Sequence, residues 1–198
     1  MKTLLTFFVL LFSSSVVADD ISDFEIEGVS LGDNILDHFS KNQLEQFYMS
    51  YGKLHTGIEV YSDVDINHPR YFKLQTYDGI QVHYDDKSKK IIGIFGAINF
   101  PDDISGCLKK LNEIKPKIES ATRSTILRKE DDINRKHWDD PSGKSYTTGV
   151  NYYFKNDHQI QLDCYDSSSG FSVNFKLEHS TTGEIPHQVA SSSLVKSF

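Results

Sequence analysis

The chain has 198 residues, 21 basic against 28 acidic, with 38% hydrophobic and 12% aromatic residues. That length suits one domain or two small ones and can bury a core without relying on crosslinks. A net charge of −7, with both signs interspersed, leaves no basic arm or stripe for nucleic acid or an anionic lipid surface.

Residues 1–18 have the order of a secretory signal. Lys2 precedes an apolar run over 4–12, and residues 13–18 end with Val16 and Ala18 where a signal peptidase reads. Cleavage after Ala18 would remove one basic residue, leaving 180 residues and a balance of 20 against 28, or −8. No cysteine lies near that point to take a lipid. No later apolar run approaches the roughly 20 residues of a membrane helix. The expectation is a periplasmic or secreted protein, free of the membrane once the signal is cleaved.

After an acidic lead, residues 24–27 alternate briefly. Ser30 and Asp33 have capping-box logic, a hydroxyl for an orphan amide and a carboxylate at the positive end of the dipole. They predict a helix to about Phe39, with a second short helix over 42–48. Residues 57–61 alternate as a strand, and 70–76 fit either a strand or an extended loop. Asp78-Gly79 is a hairpin dipeptide, followed by alternating Ile80, Val82 and Tyr84. Residues 91–100 are apolar on both faces, which fits a central strand covered on both sides.

The clearest helix covers 102–121, where Ile104, Cys107, Leu108, Leu111, Ile114 and Ile118 recur at helical spacing. Pro116 should kink or end it. Residues 123–149 are polar and poorly periodic and read as a long loop. Three strands then form a meander: Val150, Tyr152 and Phe154 share a face, as do Ile160, Leu162 and Cys164, and then Phe171, Val173, Phe175 and Leu177. From Ser180 the tail is serine-rich and reads as flexible.

Cys107 and Cys164 are the only cysteines. In an exported chain an even pair reads first as a disulfide. Each lies on the apolar face of its element, so a bridge would pin the second helix onto the second meander.

Several constellations bear on chemistry. Gly28-x-Ser30-x-Gly32 matches a nucleophile elbow, but lies too early in the mature chain for βα units to precede it. Asp63-x-Asp65-x-Asn67 opens like a calcium loop, yet His68 and Leu74 stand where glycine and glutamate belong. Gly143-Lys144-Ser145 lacks the upstream glycine of a phosphate loop. No paired-histidine metal motif occurs, and His137-Trp138-Asp139-Asp140 is a candidate glycan or metal loop. The acid pairs Asp85-Asp86, Asp131-Asp132 and Asp139-Asp140 read as solvated. The remaining candidate is a binding face on the last strands: Tyr153, Lys155, Gln161, Asp163, Tyr165, Asn174 and Lys176.

Gly28-Val29-Ser30-Leu31-Gly32-Asp33, Thr76-Tyr77-Asp78-Gly79-Ile80-Gln81, Pro141-Ser142-Gly143-Lys144-Ser145 and Asp163-Cys164-Tyr165-Asp166 resemble a group of small exported proteins of marine bacteria. That resemblance implies export and a shared fold, and carries over no active site. More distantly, the helix-then-meander order is similar to β-lactamase-inhibitor-like proteins and to outer-membrane assembly lipoproteins of the SmpA/OmlA type. Those families imply protein binding rather than catalysis.

Together these readings predict an α+β fold of two helix-plus-antiparallel-meander units (α-β-β-β, α-β-β-β) with the helices on one face of the sheet. The domain would run over 19–179, divisible into halves 24–100 and 101–179, with a tail over 180–198. The expected function is non-catalytic binding of a protein partner, without cofactor or metal. The alternatives are a small serine hydrolase using Ser30, or a glycan- or metal-binding module. Oligomeric state is not legible in the residues.

Overall fold

The computed structural model of the protein describes residues 24–51, 55–62, 67–68, 70–101, 103–122, 125–136, 142–155, 158–166 and 173–181. The expected signal, most of the tail, and the loops at 63–66 and 137–141 lie outside the described residues.

The described chain opens with a two-residue hairpin joining β1 (Glu25–Ile26) to β2 (Val29–Ser30). Its central residues, Glu27 and Gly28, have φ of 55° and 78°, as a hairpin turn of this hand requires. Gly32 turns the chain again at φ 87°. The glycine spacing around Ser30 therefore serves two turns, not a strand-to-helix elbow. Two short helices follow, α1 (Ile35–His38) and α2 (Lys41–Phe47).

Among the described residues, the remaining strands form one antiparallel sheet of eight beside the β1-β2 hairpin, not two meanders of three. The first half contributes β3 (Tyr48–Tyr51), β4 (His55–Tyr61), β5 (Gly79–Tyr84) and β6 (Ile91–Phe100). The helix α3 (Ile104–Thr122) leads into β7 (Ile126–Lys136), β8 (Tyr146–Phe154), β9 (His158–Asp166) and β10 (Val173–Thr181). The order across the sheet is β3-β4-β5-β6-β10-β9-β8-β7. Each half is thus a four-strand meander, and the last strand of each pairs with the other at the centre.

The α+β expectation is therefore corrected to a mainly β fold, and the two α-β-β-β units to eight strands in one sheet. Two strands account for the difference. β7 occupies part of the expected loop at 123–149, and β3 begins where the second helix ends. Residues 70–76 form no strand, only an isolated bridge between Tyr61 and Tyr71. α3 runs through Pro116 to Thr122, close to the expected 102–121. The missing proline amide costs one ladder bond, while Cys107, Leu111 and Ile118 keep the helix seated on the core.

Ile58, Val60, Ile80, Val82, Ile94, Val150, Tyr152, Ile160 and Leu162 line one sheet face and join Phe39, Leu44, Cys107, Leu111 and Ile118 from the helices in one cluster. The period of two along each strand puts these residues on a common face. β6, fourth across the sheet, is buried on both sides: Ile94 and Phe95 are each 0% exposed. Cys107 and Cys164 are bonded, with Cα atoms 5.9 Å apart, which ties α3 to β9.

Candidate functional site

Ser30 stands in β2 beside an acid and a histidine, but not in triad order. Its amide donates to Asp33 Oδ2 at 3.0 Å, and His38 Nε2 lies 2.9 Å from that same oxygen. A hydrolase needs the histidine between carboxylate and hydroxyl. Here the carboxylate lies between the serine amide and the histidine, and the Ser30 hydroxyl donates to the Phe24 carbonyl at 3.5 Å. The cap of α1 is also four residues beyond Ser30, at Asn34. Asn34 accepts the Leu36 amide, so Ser30 and Asp33 brace the hairpin against α1 rather than cap it.

The Thr76-Tyr77-Asp78-Gly79 motif is accounted for by packing. Glu27 accepts the amides of Gln75, Thr76 and Tyr77, which binds the first hairpin to the loop ahead of β5. The Tyr77 ring covers Gly96, where an added Cβ would lie 2.6 Å from the ring. Burial, and then the Glu27 charge, push the Tyr77 phenol up to about 12. Asp78 Oδ2 accepts the Asn99 amide at 2.7 Å.

The other polar motifs are likewise occupied locally. Asp85 accepts both the amide and the hydroxyl of Ser88, which hold its carboxyl below the usual range. Asp86 pairs with Lys89 at 2.6 Å. Gly143 has φ 64° and belongs to a turn before Ser145. The calcium-like motif and the His137 loop fall largely or wholly outside the described residues. Among the described residues, no group of three or more His, Cys, Asp or Glu could hold a metal ion.

A denser network joins α3 to β7 and β8. Lys129 Nζ and the Tyr152 hydroxyl both donate to Glu119 Oε1, at 2.8 and 2.9 Å. Lys115 donates to Asp131 at 3.0 Å. The bond from Lys129, and then that from Tyr152, hold the Glu119 carboxyl below its ordinary range, while Lys115 does the same for Asp131. Burial, and then Glu119, raise the Tyr152 phenol.

The expected binding face divides when seen in place. The register sets Tyr153, Asn151 and Thr147 of β8 opposite Gln159, Gln161 and Tyr165 of β9. This face lies away from the helix-packed cluster. Tyr153 and Tyr165 are half-buried and Lys155 is exposed, but Gln161 and Asp163 are 8% and 6% exposed. Gln161 donates to Asp163. Asn174 and Lys176 fall at register positions opposite Tyr165 and Asp163. The two tyrosines therefore stand at opposite ends of a buried polar row, about 20 Å apart at ordinary strand rise.

Two residues of this face escape a sequence reading. Arg128 lies over the Tyr153 ring, 4.0 Å from ring centre to guanidinium carbon, and pairs with Glu130 at 2.7 Å. The Tyr153 hydroxyl reaches Glu130 at 3.3 Å. Both charges sit in a stretch without apolar period. Their period-two spacing on β7 was the available signal.

The chain matches no protein-family model, no curated protein and no solved structure.

Proposed function

We propose that this is an exported, non-catalytic binding protein that recognises a protein partner through the face of β8 and β9 that carries Tyr153 and Tyr165. The observation that carries this reading is Tyr153, clasped between Arg128 and Glu130 and only half-buried. Tyrosine and arginine are the residues that most often anchor protein interfaces, since they offer large contact area with few rotatable bonds. A ring already stacked and hydrogen-bonded loses little freedom on binding. Tyr165 supplies a second aromatic at the far end of the row. The Cys107–Cys164 bond supports export, because such bonds persist in oxidising compartments. Among the described residues, no helix is long and apolar enough to cross a membrane.

Photo-crosslinking tests this reading. A photoreactive phenylalanine at position 165 should yield a discrete protein adduct in the native compartment, while the same group at exposed position 109 on α3 should not. Equal labelling from both positions, or none from position 165, would refute the reading.

A further inference from the structure

The outer edge of β7 carries a charge pattern complementary to itself. β7 is the last strand of the sheet and, among the described residues, pairs only with β8. Its ladder with β8 is regular from Arg128 to Asp132 and is interrupted on both sides, between Ile126 and Arg128 and between Asp132 and Arg135. The uninterrupted stretch reads Arg-Lys-Glu-Asp-Asp. When such a stretch is laid antiparallel on its own copy about Glu130, Arg128 falls opposite Asp132 and Lys129 opposite Asp131, each twice by symmetry.

We propose that this edge pairs with a second copy of the chain, joining two eight-stranded sheets across a twofold axis at Glu130. A twofold interface must be self-complementary, residue by residue, and this segment has that property. Natural sheets blunt exposed edges with charged side chains, lysine above all, and with bulges. Here the signs reverse at the midpoint; Lys129 and Asp131 already bond Glu119 and Lys115 of α3, so Arg128 opposite Asp132 is the pair that selects the antiparallel register. The flanking irregularities confine pairing to the short central stretch, which prevents longer edge-to-edge growth. At the axis the two Glu130 carboxylates meet, each already neutralised by Arg128 of its own chain at 2.7 Å. Arg128 and Glu130 remain exposed, with side chains at 58% and 45%, so a copy can reach them. A ladder this short gives a weak dimer whose charge pairs are screened by salt over a Debye length of about 8 Å at physiological ionic strength. This edge shares Arg128 and Glu130 with the clasp on Tyr153 in the proposed partner-binding face.

Sedimentation equilibrium of the full mature chain at low and high salt tests it. A concentration-dependent dimer at low salt, weakened by added salt, is expected. Arg128→Asp should weaken the dimer about tenfold or more, because it turns both outer pairs from attraction to repulsion. The double exchange Arg128→Asp with Asp132→Arg restores opposite charges in the same register and should restore dimerisation. A monomer at all concentrations, a dimer indifferent to Arg128→Asp, or a double variant no better than the single one would each overturn the proposal.

Discussion

Glu27 and Thr76 are joined by a hydrogen bond of 2.6 Å, the shortest of three from the loop amides to one carboxylate. A side chain held at a left-handed φ of 55° thereby fastens the opening hairpin to the loop ahead of β5. Removing the carboxylate as Glu27→Ala should destabilise the fold by about 2–3 kcal/mol, since charge-assisted bonds are lost together. Glu27→Asn should cost about 1 kcal/mol less, because asparagine tolerates that conformation. Denaturant midpoints of the two variants check the order.

At Gly96, contact with the Tyr77 ring decides the outcome. A Cβ there would lie 2.6 Å from Tyr77. Gly96→Ala should therefore cost roughly 1–3 kcal/mol, the usual penalty for forcing atoms into a filled core. Adding Tyr77→Leu should recover part of that loss, and non-additivity in a double-mutant cycle is the measurement.

The α3–β7 network makes stability depend on pH at both extremes. Glu119 and Asp131 have lowered folded pKa values, so their contribution is present above their unfolded values near about 4. It is lost as pH falls through the lowered folded values. Lys129 and Tyr152 are raised, so theirs is present below their unfolded values near about 10 and lost as pH rises through the folded ones. Glu119→Gln should lower stability at neutral pH and flatten the acid limb of the stability curve. An unchanged acid limb would show that the network contributes nothing there.

The Cys107–Cys164 bond spans 57 positions. Replacing both residues by alanine should cost about 4 kcal/mol on the chain-entropy model. Thiol titration of the denatured, unreduced protein should find none. Two free thiols would contradict the bond.

What the residues revealed in advance followed apolar period. β6 was legible because both of its faces are apolar, and the core positions of α3 and β9 because Cys107 and Cys164 share the faces of their neighbours. β7 was not, because one of its faces meets charged groups of α3, such as Glu119 and Lys115, and the other carries Arg128 and Glu130 in solvent. An edge strand covered by ion pairs has no hydrophobic signature. β3 is four residues long and follows α2 directly, too short for alternation to show. Of the site, Tyr153 and Tyr165 were visible, whereas the clasp on Tyr153 depended on a strand read as a loop.

Pro116 lies on the exposed side of α3. Pro116→Ala should raise stability by about 1–3 kcal/mol by restoring a helix bond and removing a clash. Thermal melts of the two forms, disulfide intact, check the sign.

Partner binding on the tyrosine-bearing face is checked by affinity capture from periplasmic extract, comparing the wild type with Tyr153→Ala and Tyr165→Ala. The expected result is one reproducible protein held by the wild type and depleted about tenfold or more by either substitution, with melting behaviour and the disulfide intact. Capture that is equal for all three proteins, or no reproducible partner, would contradict the account.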